Sequence, residues 1–171
     1  MKLRTIQTED DKHVKEVITK AFEQSDHGHN GEATLVETIR ELPTYNQELE
    51  VVALVDSDIV GHGLLSEAVV KNDTNDLKGL VLAPLSVVPD YQNQGIGSHV
   101  LLELEKRAKE TEHTFITILG DPSFYSRFGY VSAKNSHVRI PLDVPSEYLL
   151  MKKLKPEMTE GISFYNRIFG S

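Results

Sequence analysis

"LVLAPLSVV" (80–88) runs directly into "PDYQNQGIGSH" (89–99), and the reading of this junction decides the fold. An apolar run of this length is a strand buried on both faces, so it is expected near the centre of its sheet. The polar run that follows holds Gly95 and Gly97, and after it Ile96, Val100, Leu101, Leu104 and Ala108 recur at helical spacing. Strand, glycine turn, helix is an arrangement that bares backbone N–H groups at a helix mouth. Such a mouth carries unpaired donors and about half a positive charge. Glycines there let an anion approach without a Cβ in the way.

Several phosphate cradles share that logic. A dinucleotide fingerprint needs a third glycine and an early βαβ unit, and both are missing. A triphosphate loop needs Gly-Lys-Ser/Thr where this chain has "GIGSH". The pattern Gln/Arg-x-x-Gly-x-Gly/Ala is met by "QNQGIG" at Gln92, Gly95 and Gly97. A helix entry with small residues for packing remains the simpler alternative on these residues alone.

Outward from the junction, the N-terminal half reads strand, helix, helix. "KLRTI" is a short strand. Thr8 is expected to cap a helix with Asp11 three residues on, and Val14, Val17, Ile18, Ala21 and Phe22 form its apolar stripe. "QSDHGHNGE" is a polar loop, and a second helix presents Leu35, Val36, Ile39 and Leu42 before Pro43. "LEVVALVDSDIVGHGLLSEAVV" is two strands folded about "DSD". "NDTNDLKG" is the next turn, "HTFITIL" a strand after the third helix, and "SHVRI", "YLLMKKL" and "ISFYNRIF" are strand-like pieces of the tail. The fold class expected is α+β with mixed α/β character, a central mostly antiparallel sheet flanked by helices. One domain of 171 residues is expected, with no linker or repeat.

Composition narrows the function classes. With no cysteine, the chain has no disulfide, thiolate metal site or cysteine nucleophile. A net charge of −8, spread along the chain, argues against nucleic acid and fits a cationic small molecule. No apolar run is long enough to span a bilayer, and "MKLRTIQTEDDKH" lacks a signal-peptide core, so a cytoplasmic location without membrane attachment is expected. His27 and His29 in "SDHGHN" lack a third ligand, so no metal is expected. His62, His99, His113 and His137 form no constellation and are expected at surface or half-buried positions. "NDT" at 72–74 fits a glycosylation pattern that has no meaning without secretion.

"LSVVPDYQNQGIGSHVLLELEKRAKE" (85–110) closely resembles the central motif of the GCN5-related N-acetyltransferase (GNAT) superfamily. "GDPSFYSRFGYVSA" (120–133) is similar to that family's downstream Tyr-x-x-x-Gly-Phe/Tyr segment, here Tyr125 to Tyr130, in the form found in a bacterial subfamily of predicted N-acetyltransferases. With the element order, the likeness covers about residues 1–135, leaving 136–171 as a β-rich tail.

The resemblance implies an acetyl-CoA-dependent N-acetyltransferase acting on a primary amine of a small molecule by direct attack, without a metal. It implies that backbone amides of Gln94, Gly95, Ile96, Gly97 and Ser98 bind pyrophosphate, with Gln92 and Asn93 shaping the loop. Leu85, Ser86 and Val87 would pair with the pantetheine arm, Phe124 would contact the cofactor, and backbone N–H near Val87 would bind the oxyanion. Tyr125 matches the family's general acid. Many relatives carry a Glu on the strand before the glycine turn; "LVLAPLSVV" has none. Glu32 is then the expected base, with Glu67 or water-mediated proton loss as alternatives. Relatives often dimerise through the tail, so a homodimer is possible. A non-catalytic acyl-CoA sensor and a protein N-acetyltransferase are the competing functions.

Overall fold

The computed structural model describes residues 1–23, 31–71, 76–133, 148–155 and 163–165. In it the hairpin about "DSD" forms from β2 (Glu50–Val55) and β3 (Asp58–Lys71). Asp56 and Ser57 take φ of 50° and 72°, the left-handed pair that a two-residue loop needs to match the strand twist. β1 (Lys2–Thr5) adds to the free side of β2, antiparallel, with Leu3 opposite Ala53. β4 (Asp76–Val87) follows β3 and starts upstream of the apolar run that announced it. In hydrogen-bonding order the strands run β1-β2-β3-β4-β5-β7-β6, with β8 beside β3. β4 therefore lies between β3 and β5, as its apolar composition requires.

The chain divides into two compact bodies, one of Met1–Ser66 with Ala83–Glu110, the other of Glu67–Leu82 with Thr111–Ser171. The first holds α1 (Asp11–Phe22), α2 (Glu32–Arg40) and α3 (Ile96–Ala108). Val14, Val17 and Ile18 of α1 and Val36 and Ile39 of α2 are buried, and so are all five apolar positions read on α3. Room for α3 comes from glycines that alternate on β3. A Cβ built on Gly63 would lie 2.7 Å from Val100 Cγ1 and 2.8 Å from Leu104 Cδ1. Gly63→Leu should therefore destabilise the protein by roughly 1–3 kcal/mol through overpacking. A urea midpoint unchanged from wild type would show that α3 does not rest on this strand.

The expected cap of α1 is corrected. A 3₁₀ turn (Thr8–Asp10) precedes the helix, and Asp10 rather than Asp11 bonds back, its Oδ2 accepting from Gln7 N–H at 2.8 Å. Arg4 of β1 holds the same carboxylate at 2.6 and 3.0 Å. The Arg4 bonds outweigh burial and keep the Asp10 carboxyl below its ordinary range.

In the second body β5 (Phe115–Leu119) runs parallel to β4, with Leu80 opposite Ile116. α4 (Pro122–Tyr125) follows, then the two-residue strand β6 (Val131–Ser132). β7 (Leu149–Lys153) is antiparallel to both β5 and β6, and β8 (Ser163–Tyr165) pairs with the end of β3. "YLLMKKL" and "ISFYNRIF" supply β7 and β8; the 131–132 strand escaped the sequence reading. "SHVRI", "SDHGHN", "NDT" and His137 lie outside the described residues. Among those described, no helix is long and apolar enough to cross a membrane, and no group of three or more His, Asp or Glu is placed to hold a metal.

Candidate active site

The first body carries the glycine turn. Pro89–Tyr91 make a 3₁₀ turn, and α3 then starts from an N-cap at Gly95 with φ of 83°. Asn93 is also left-handed, at φ 63°. The two glycines do different work: Gly95 supplies a conformation L-residues rarely adopt, and Gly97 supplies space. A Cβ on Gly97 would meet only Val87 Cγ2, at 3.6 Å. The first intrahelical bond here runs from His99 N–H to Gly95 O, at 3.0 Å. The N–H groups of 94–98 consequently have no partner among the described residues, as the opening turn of a helix dictates. The side chains around them bind carbonyls and not these amides. Gln92 Nε2 donates to Val87 O at 2.9 Å and Gln94 Nε2 to Asp90 O at 3.3 Å. His99 Nδ1 donates to Gly95 O at 2.6 Å.

β4 leads into this turn. Its parallel register with β5 spans Leu80 to Leu82, and the strand continues to Val87. Ser86 is buried, Leu85 and Val87 are half-buried, and Val88 N–H bonds Val60 O at 2.9 Å. A cavity of about 820 Å³ opens in the same body, bordered by Glu9, Glu16, Glu23, Asp58, Asp90 and Tyr91. Asp10 makes a sixth carboxylate in the lining, against Arg4 and Lys20, and that acidic excess attracts a cation.

In the second body Asp121 caps α4, its Oδ1 accepting from Ser123 N–H at 2.9 Å and from Ser123 Oγ at 2.8 Å. That cap sets Tyr125 against the backbone: a Cβ on Gly120 would lie 2.6 Å from Tyr125 Cε2. The ring meets Phe124 edge-on at 4.8 Å and Tyr130 at 5.9 Å. Arg127 lies over the Phe124 ring, 4.8 Å from its centroid. The Tyr125 hydroxyl has no hydrogen-bond partner among the described residues. Burial, assisted by the Asp121 charge, pushes the phenol up to about 12. It is wholly protonated at neutral pH.

Of the expected bases, Glu32 is the first residue of α2 and half-buried. Glu67 is engaged, its Oε2 lying 3.1 Å from His113 Nε2. His113 thus does have a partner, and so, against expectation, does His62. His62 is fully buried, with Nε2 2.7 Å from Glu50 Oε1. Glu50 is itself fully buried and also accepts from Arg40 Nη2 at 2.5 Å, Arg40 Nε at 3.2 Å and Tyr45 Oη at 2.6 Å. Arg40 pairs in addition with Asp11 at 3.1 Å. The sequence reading missed this cluster because its members sit at 40, 45, 50 and 62, each unremarkable alone. The available signal was a Glu and a His inside two otherwise apolar strands.

Burial alone would raise the Glu50 carboxyl, but the bonds from His62 and Arg40 win and bring it to about 2. A carboxyl lowered on folding adds stability that is complete above its unfolded value near 4.5 and is lost as pH falls toward 2. That window is worth on the order of 3 kcal/mol. Stability from urea titrations should fall across it in wild type and much less in Glu50→Gln. Parallel slopes for the two proteins would remove Glu50 as the acid-sensitive group.

Residues 46–132 match the sequence profile of the acetyltransferase (GNAT) domain. Two curated Escherichia coli proteins are similar: the uncharacterized N-acetyltransferase YjhQ, 28% identical over 136 residues (79% of this chain, 72% of that one), and the uncharacterized N-acetyltransferase YhbS, 29% identical over 148 residues (86% and 83%). The crystal structure of E. coli YhbS in complex with CoA superposes with a TM-score of 0.83 at 24% identity, covering 99% of this chain and 92% of that one. A Brucella melitensis GNAT family acetyltransferase in complex with acetyl-CoA gives 0.77 at 22% identity, covering 98% and 97%. The profile spans half the chain and contains the glycine turn, β5 and Tyr125, and on that ground the chain belongs to the GNAT acetyltransferase family.

Proposed function

We propose that the protein transfers the acetyl group of acetyl-CoA to a primary amine of a small molecule by direct attack. The observation that carries this is the row of unpartnered amides at 94–98, opened by a left-handed Gly95 and an uncovered Gly97. Diphosphate is the anion such a row fits, and both GNAT structures described above hold CoA or acetyl-CoA. Leu85, Ser86 and Val87 run beside the pantetheine arm, whose amides bond a strand as peptide would. Gln92 and Asn93 hold the loop, Phe124 packs on the cofactor, and an N–H near Val87 receives the oxyanion.

An alkylamine with a pKa of about 10.4 costs about 4.6 kcal/mol to deprotonate at pH 7. Glu32 of α2 takes that proton in this reading, and water is the other route. Tyr125 is assigned as the donor to the departing sulfur. With no cysteine in the chain, no cysteine-bound acyl intermediate intervenes. A net charge of −8 and the carboxylate-lined cavity favour a cationic acceptor. The setting proposed is the cytoplasm, with a homodimer as the assembly to test by sedimentation.

Thiol release from acetyl-CoA, measured across alkylamines, polyamines, aminoglycosides and lysine peptides, tests the reading. Turnover on a small amine is expected. Turnover on peptides alone would make the protein a protein acetyltransferase, and tight CoA binding without any turnover would make it a sensor.

A further inference from the structure

His62 Nδ1 and Ser86 Oγ are buried and have no hydrogen-bond partner among the described residues. His62 is 0% and Ser86 2% exposed. An orphaned buried polar atom is costly unless something satisfies it. The tautomer of His62 is set by Glu50. A carboxylate brought to about 2 is ionised at neutral pH and only accepts, so the imidazole proton lies on Nε2 and the Nδ1 lone pair is bare.

Strand alternation puts the two orphans together. Gly61 and Gly63 turn toward α3, and so do Leu85 and Val87, since Leu85 Cδ1 would lie 3.3 Å from a Cβ on Gly63 and Val87 Cγ2 3.6 Å from one on Gly97. His62 and Ser86 therefore share the opposite face. The Val88 N–H bond to Val60 O sets the end of β4 against the start of β3, which brings Ser86 across from His62. Two unsatisfied polar atoms in a buried place are the partners a bridging water molecule needs.

We infer that His62, oriented by Glu50, takes up the proton of the acceptor amine through water held between Nδ1 and Ser86 Oγ. The inference rests on the transfer reading above, in which Ser86 lies along the pantetheine arm. The charged and titratable groups around His62 are Glu50 from β2, Arg40 from α2, Tyr45 from the following loop and, through Arg40, Asp11 of α1. β4 contributes none at 83–87.

The step balances as follows. An ammonium N–H bond breaks, its electron pair stays on nitrogen, and the proton passes through water to Nδ1. The imidazolium so formed lies against the Glu50 carboxylate at Nε2, which stabilises its charge. Nitrogen attacks the thioester carbon and the C–S bond breaks. The second amine proton goes to sulfur, and the imidazolium returns its proton to solvent, one per amide formed.

His62→Gln keeps a donor for Glu50 and removes the basic nitrogen; Ser86→Ala removes only the water anchor. Both are compared with wild type on an amine that wild type acetylates, reading kcat against pH, CoA affinity and melting temperature. For His62→Gln, kcat should drop about 10²-fold near neutrality, with CoA affinity unchanged and the deficit closing as pH approaches the amine's own pKa. Ser86→Ala should show the same trend at about 10-fold, and carries the test if His62→Gln does not fold. A merely structural His62 would lower the melting temperature without a pH-dependent deficit. Wild-type kcat and pH profile in both variants, or that deficit arising in Glu32→Gln instead, overturns the inference. Wild type that binds CoA but acetylates nothing overturns the transfer reading itself, and wild type alone reveals it.

Discussion

Tyr125→Phe is expected to lower kcat by about 10²–10⁴-fold while CoA affinity and melting temperature stay close to wild type. The phenylalanine keeps the ring against Gly120, Phe124 and Tyr130, so packing is preserved. The hydroxyl it deletes has no protein partner among the described residues, so no buried group is stranded. What is lost is a donor for the departing sulfur. Burial raises the phenol to about 12, above an ordinary thiol near 8.5. Full proton transfer from Tyr125 to the thiolate would therefore run uphill by about 5 kcal/mol. Tyr125 then acts as a hydrogen-bond donor to developing charge, and loss of one such donor costs about 10²–10³-fold, the lower part of the range. The raised phenol has a second consequence: below about pH 11 no alkaline fall in kcat belongs to Tyr125. A fall near pH 10 present in wild type and absent in Tyr125→Phe would show an ordinary phenol acting as a true acid. An unchanged kcat would remove Tyr125 from the mechanism.

Local periodicity and turn chemistry explain which parts were legible beforehand. The α3 stripe of Ile96, Val100, Leu101, Leu104 and Ala108 is a property of one helix, and all five are buried. The hairpin at Asp56–Ser57 and the glycine turn at 92–98 are equally local, and both form where the residues put them. What could not be read depends on partners distant in sequence. Asp10 displaces Asp11 at the start of α1 because Arg4 reaches it from β1, a contact no capping pattern contains. β4 begins at Asp76 because pairing, not apolar content, extends it. β6 is two residues long and exists only as an addition to β7. His62 reads from sequence as a surface or half-buried residue because a polar side chain inside a strand has two possible faces. Only Arg40 and Tyr45, arriving from α2 and its following loop, make the inward face affordable.

Gly97→Trp should abolish measurable CoA binding and leave the fold intact, and the two halves of that expectation rest on different contacts. The fold survives because position 97 is open: a Cβ there touches only Val87 Cγ2 at ordinary van der Waals distance. The residue is also helical, so replacing glycine removes a backbone-entropy cost of up to about 1 kcal/mol. Circular dichroism and melting should therefore match wild type or improve slightly. Binding fails because an indole starting from the first turn of α3 spreads over the N–H groups of 94–98, which a pyrophosphate must approach edge-on. Gly95→Ala separates conformation from access: at φ of 83° it strains the backbone by roughly 1–2 kcal/mol and should lower stability along with affinity. Gly97→Ala adds one methyl in open space and should weaken CoA by about 10-fold at unchanged stability, the equivalent of one displaced amide contact of about 1.4 kcal/mol. Calorimetric titration with CoA ranks the three. An ordering in which Gly97→Trp binds as well as wild type would place the diphosphate away from α3, and with it would go the assignment of Leu85, Ser86 and Val87 to the pantetheine arm, since that strand reaches the cofactor only by leading into this turn.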